Sequence, residues 1–140
     1  MSLFADQTRD QLRGAYREAW RKWRTGLPLQ PLEAQIADVI GEHPEYQSAL
    51  QEAAVPAQDF PTGAENPFLH MGLHLAVREQ VATDRPAGIA LIHQQLASRY
   101  GSRHAAEHGM IEVLAALLSQ AQRSGLPPQE DLYLEQLRRL

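Results

Sequence analysis

Residues 102–128 read SRHAAEHGMIEVLAALLSQAQRSGLPP, and their punctuation decides the fold class. A serine able to cap a helix opens the stretch, and a glycine followed by a proline pair closes it. Between Arg103 and Arg123 there is no strand-like alternation. Instead Met110, Val113, Leu114, Leu117, Leu118 and Ala121 recur at helical spacing. A wheel of about 100° per residue turns these toward a core and places His104, His108, Glu112, Ser119 and Gln122 on the opposite side.

The same grammar extends both ways along the chain. Upstream, Asn66-Pro67 pairs a capping residue with a first-turn proline and predicts a helix to about Ala82. Asp84-Arg85-Pro86 breaks the chain, and a further helix follows from Ala87 to Tyr100, stopped by Gly101. Downstream, Pro128 to Arg139 forms a last helix carrying Leu132, Leu134 and Leu137. Near the N-terminus a helix is predicted from Ala5 to Thr25, with Leu12, Tyr16, Ala19, Trp20 and Trp23 on its apolar face and Gly26 as its cap. A second runs from Leu32 to Ile40 behind Pro31, and a short third follows Pro44 with Tyr46, Ala49 and Leu50. Residues 53–65 read as a loop. The expectation is an all-α protein: one compact bundle of about six to seven helices, no sheet, and a single domain over residues 1–140.

Composition narrows the chemistry. The 140 residues include no cysteine, which excludes disulfides, thiolate zinc sites and a cysteine nucleophile. No apolar run approaches the roughly 18 residues needed to cross a bilayer. The N-terminus bears Asp6 and Asp10 without an apolar block, unlike a secretory signal. The expectation is a cytoplasmic protein with no membrane partner. Net charge is −4, which disfavours nucleic acid as a partner. That average hides a +3 segment over residues 1–26 and a −7 remainder. Arg9, Arg13, Arg17 and Arg21 recur every four residues beside Tyr16, Trp20 and Trp23. The stripe could follow phosphates, but it equally describes a surface helix that buries its aromatics and pairs its arginines with the acidic body.

Histidines supply the candidate site. His70 and His74 are one helical turn apart, as are His104 and His108, so each pair projects two imidazoles from one face. Glu112 extends the second series by one more turn. Two helices donating imidazoles, with a carboxylate nearby, are how helical bundles assemble zinc, iron or manganese sites. His70, His74, His104, His108 and Glu112 are therefore the candidate ligands of a divalent transition metal. The competing reading makes these faces, and the arginine stripe, contact surfaces of a non-catalytic protein, with a homodimer as one form. His43, before Pro44, suits a cap or the surface, and His93 reads as a surface residue.

His104 to His108 also matches the H-x-x-E-H pattern of inverted zinc metalloproteases, which would make Glu107 a base. Only 32 residues follow, too few for those enzymes' distant acidic ligand, so Glu107 stands as a weak catalytic candidate. It lies on the apolar side of its helix, where a carboxylate needs a partner such as Arg78 or Arg85. No substrate can be named.

The segment Asn66 to Ala76, NPFLHMGLHLA, followed by Glu79-Gln80, resembles a bacterial family, domain of unknown function 1841. Ala19-Trp20-Arg21-Lys22, Pro31-Leu32-Glu33-Ala34, His43-Pro44-Glu45-Tyr46, residues 84–89, His104 to Glu112 and Tyr133-Leu134-Glu135 add to the likeness. The resemblance spans essentially the whole chain. It implies a small one-domain cytoplasmic protein and supplies no activity.

Overall fold

The computed structural model describes residues 9–47, Leu50 and 67–140. The predicted helix start at Ala5, Ala49 of the short third helix, the loop at 53–65 and the Asn66 cap lie outside the described residues. Among the described residues the fold is all-α. Six helices are present, α1 (Arg9–Arg24), α2 (Pro31–Gly41), α3 (Pro67–Thr83), α4 (Ile89–Tyr100), α5 (Arg103–Ser124) and α6 (Glu130–Arg138), with one 3₁₀ turn at Pro44–Tyr46 and no strand. None of these helices is long and apolar enough to cross a membrane. The chain falls into two compact units, Met1–Met71 and Gly72–Leu140, with the boundary inside α3.

In the first unit α1 packs on α2. Tyr16, Ala19 and Trp20 of α1 and Ile36, Ala37, Val39 and Ile40 of α2 are buried. A hydrogen-bonded ion pair from Lys22 Nζ to Glu33 Oε2, 2.9 Å, ties the two helices together. Gly26, at φ +72°, closes α1, and the Leu27 N–H reaches back to the Lys22 carbonyl at 2.9 Å; only a residue without Cβ takes that turn cheaply. Two expectations about α1 need correction. Trp23 is 53% exposed, not core, and stacks on buried Trp20 with centroids 4.9 Å apart. Arg13 is buried, not part of a surface stripe, and its guanidinium lies 5.0 Å from the centre of the Phe68 ring. Tyr16 meets the same ring edge-on at 5.7 Å. The apolar arc of α1 therefore takes in Arg13, whose charge is stabilised by an aromatic face. Arg21 pairs with Glu18 on its own helix.

The second unit holds the larger apolar core. Val77 of α3, Ile89, Ile92 and Leu96 of α4, Ala106, Met110, Ile111, Leu114 and Leu117 of α5, and Tyr133, Leu134 and Leu137 of α6 form one buried cluster. Ser102 caps α5 as predicted, its Oγ accepting from the Ala105 N–H at 3.0 Å. α4 begins at Ile89, two residues later than expected. Gly88 sits at φ +102°, and Asp84 Oδ1 accepts from the N–H groups of Gly88 and Ala90. α6 begins at Glu130, not Pro128. On α5 the buried arc is shifted from the wheel's estimate: Ala106 and Ile111 are buried, whereas Leu118 is 44% exposed. Among the described residues the buried side of α5 is centred on the Met110–Leu114–Leu117 ridge.

Candidate metal centre

Three imidazoles converge in the second unit. Ser102 fixes the start of α5, so His104 and His108 fall in its first two turns, one above the other. His74 comes from α3 and is completely buried. Its ring stacks on His104 at 5.3 Å between centroids and meets His108 nearly edge-on at 4.9 Å. His104 and His108 are 4.4 Å apart by the same measure. One nitrogen from each of the three can be chosen so that all lie within 4.8 Å of one another. The Nε2 atoms of His104 and His108 are 2.9 Å apart. Two nitrogens bound to one ion at about 2.0–2.1 Å stand roughly 2.9–3.4 Å apart for bond angles of about 90–110°. Without an ion, the same separation is a hydrogen bond, one ring donating Nε2–H and the other accepting. Ligation by both Nε2 atoms requires the donor ring to carry its proton on Nδ1 instead.

Glu107 sets the orientation of His74. Its Oε1 lies 3.2 Å from His74 Nδ1 and accepts from Arg78 Nε at 2.8 Å. Burial pushes the Glu107 carboxyl up, but the hydrogen bonds from His74 and Arg78, and the charge of Arg78, outweigh it and hold the group at about 2. An ionised carboxylate against Nδ1 requires a proton on that nitrogen, which leaves Nε2 with its lone pair. This is how protein metal sites prepare a ligating histidine. It also answers the puzzle of a carboxylate on the apolar side of α5. Arg78, one of the two partners expected, satisfies it. A carboxylate held near 2 is a poor proton acceptor, which argues against Glu107 as a general base.

The other predicted ligands lie elsewhere. His70 is half-buried in the first unit, where its ring meets His43 at 5.1 Å and Tyr46 at 6.1 Å. Glu112 is exposed on α5. Among the described residues neither belongs to the group of converging ligand atoms. His93 is half-buried rather than on the surface, with its pKa pushed down chiefly by burial.

The sequence reads His43 as a cap or surface residue. It does occupy the N-cap position of the 3₁₀ turn, but its side chain makes no capping bond there. It is 1% exposed, its Nδ1 lies 2.7 Å from the Val39 carbonyl, and its ring stacks on Tyr46 at 5.3 Å. A proton on Nδ1 serves that carbonyl and directs the lone pair to Nε2. The available signal is positional, since His43 follows Val39 by one turn where α2 runs out and its last carbonyls have room for a further donor.

The profile of the family described as "Domain of unknown function (DUF1841)" matches residues 8–139, and the chain belongs to that family. No curated protein and no solved structure matches it.

Proposed function

We propose that the second unit binds a divalent transition-metal ion through His74, His104 and His108, with Glu107 holding His74 in its ligating tautomer. The convergence of three imidazole nitrogens from two helices within 4.8 Å carries this reading. An all-nitrogen donor set suits zinc or iron better than manganese, which prefers oxygen. The reading assigns binding rather than catalysis, in a cytoplasmic setting. The test is elemental analysis of untagged protein beside a His104→Ala, His108→Ala double variant, with circular dichroism to verify the fold. Stoichiometric metal in the parent and none in the variant is expected. Chelation should also lower the parent's melting temperature, because an ion bound only to the folded state stabilises it. Equal, trace metal in both proteins would end the reading.

A second reading rests on a different observation. Trp23, Leu27 and Leu32 are 53%, 44% and 54% exposed at the end of α1 and the start of α2. Apolar groups gathered there suit a contact surface for a second copy. Sedimentation of the parent and of Trp23→Glu tests it. A concentration-dependent dimer lost in the variant supports the reading, and a monomer at every concentration removes it.

A further inference from the structure

The basic side chains of α1 have different fates in the first unit. Arg21 is paired with Glu18, and Lys22 beside it with Glu33. Arg13 lies over the Phe68 ring. Arg17 shares neither arrangement. It is half-buried, and among the described residues its Nε is covered and meets no acceptor. Trp20 is 5% exposed, and its indole Nε1 is likewise covered without an acceptor among the described residues. Arg17 and Trp20 stand at i and i+3, neighbours on one face of the helix. Both lie within the first unit.

Guanidinium and indole nitrogens donate hydrogen bonds and cannot accept them, so these two groups cannot satisfy each other. A covered donor without an acceptor is costly, and a covered cation without a counter-charge is more so. The pair calls for one group with several lone pairs and a negative charge, which is the chemistry of carboxylate and phosphate oxygens. Glu18 and Glu33 are already held by Arg21 and Lys22. We propose that α1 seats an oxyanion, the carboxylate or phosphate group of a small molecule, between Arg17 and Trp20. Arg17 supplies the charge and a hydrogen bond from Nε, and Trp20 adds a second from Nε1. The oxyanion enters from the side of Arg17, a half-buried and flexible side chain, because Trp20 is closed off. This seat belongs to the first unit and does not depend on the metal reading of the second.

The chain has two tryptophans, so a proton–nitrogen correlation spectrum of the untagged full chain shows two indole N–H signals, which Trp23→Phe assigns. Inorganic phosphate and acetate are titrated in turn against a sodium chloride control of equal ionic strength. A saturable downfield shift of the Trp20 signal, absent with chloride, is expected with at least one of them. The anion that saturates the signal names the source, phosphate or carboxylate. Arg17→Gln should weaken binding by about tenfold, through the loss of a charge-assisted hydrogen bond. A Trp20 signal that answers neither anion, or answers chloride equally, overturns the proposal, as does unchanged affinity in Arg17→Gln. Should that variant not fold, the parent's response against chloride still decides.

Discussion

Each unit builds a cluster of rings, and the two differ in what fixes the buried histidine. In the first unit His43 Nδ1 rests on a backbone carbonyl, and the neighbouring rings are Tyr46 and His70. In the second, His74 Nδ1 rests on an ionised carboxylate that Arg78 also grips, and the neighbours are two more imidazoles. A neutral carbonyl needs no counter-charge, so the bond that orients His43 is a neutral one. A buried carboxylate needs its cation and its donor together, so the second is a charged network whose members depend on one another. Burial, then Glu45, pushes the Tyr46 phenol above its usual range, which keeps it protonated and a poor ligand. Within its own unit the first cluster offers two imidazoles, His43 and His70, and the second offers three.

The largest effect should come from breaking the charged network. Glu107→Ala takes the shared carboxylate away from Arg78 and His74 and is expected to destabilise the protein by about 3–5 kcal/mol. His43→Ala, which removes one donor from the Val39 carbonyl while the Glu42 N–H keeps its bond at 3.2 Å, should cost about 0.5–1.5 kcal/mol plus lost packing. Urea unfolding of both variants measures the difference, and a reversed order would break the comparison.

Acid offers the next separation. Glu107 falls from an ordinary 4.5 to about 2 on folding. Its contribution is thus full above about 4.5 and is lost as pH drops toward 2. Melting temperatures across that window should fall for the parent, and less steeply for Glu107→Gln.

Alkali should affect both units alike. Burial raises Tyr16 in the first and Tyr133 in the second from 10.0 to about 12, against a hydrogen bond from Tyr133 to Gln80 that acts to lower it. A raised folded value means stability present below pH 10 and lost as pH climbs toward 12. Tyr16→Phe and Tyr133→Phe should each remove part of that loss, and a loss unchanged in both variants would contradict the burial of these phenols.

The smallest change is Ser102→Ala, expected to cost about 1 kcal/mol by removing the cap of α5. Because His104 lies in the capped turn, metal affinity should weaken with it. Unchanged affinity in a metal titration would show that the cap does not help to hold the site.

Much of this was legible in the chain. Ser102, Gly101 and Gly125 announced their helix boundaries because capping is local chemistry, settled by a residue and the next few amides. Glu107 stands in the sequence as a carboxylate that needs a cation, with Arg78 and Arg85 as its candidates. The selection among histidines was not legible. His70 and His74 have the same spacing and nearly the same apolar surroundings in sequence, yet one joins His43 and Tyr46 while the other joins His104 and His108. His43 looked like a surface cap and is buried. Trp23 and Arg13 exchanged the roles their residue types suggest.

What the sequence alone determined, then, is the all-α class, most helix ends and the pool of metal-capable side chains, since propensity, capping and composition act over a few residues. Tertiary structure decided which imidazoles meet, which carboxylate orients them and which aromatic stays outside. Those depend on contacts between residues such as His74 and Glu107, 33 positions apart, and no local pattern encodes how two distant helices are rotated about their axes when they pack.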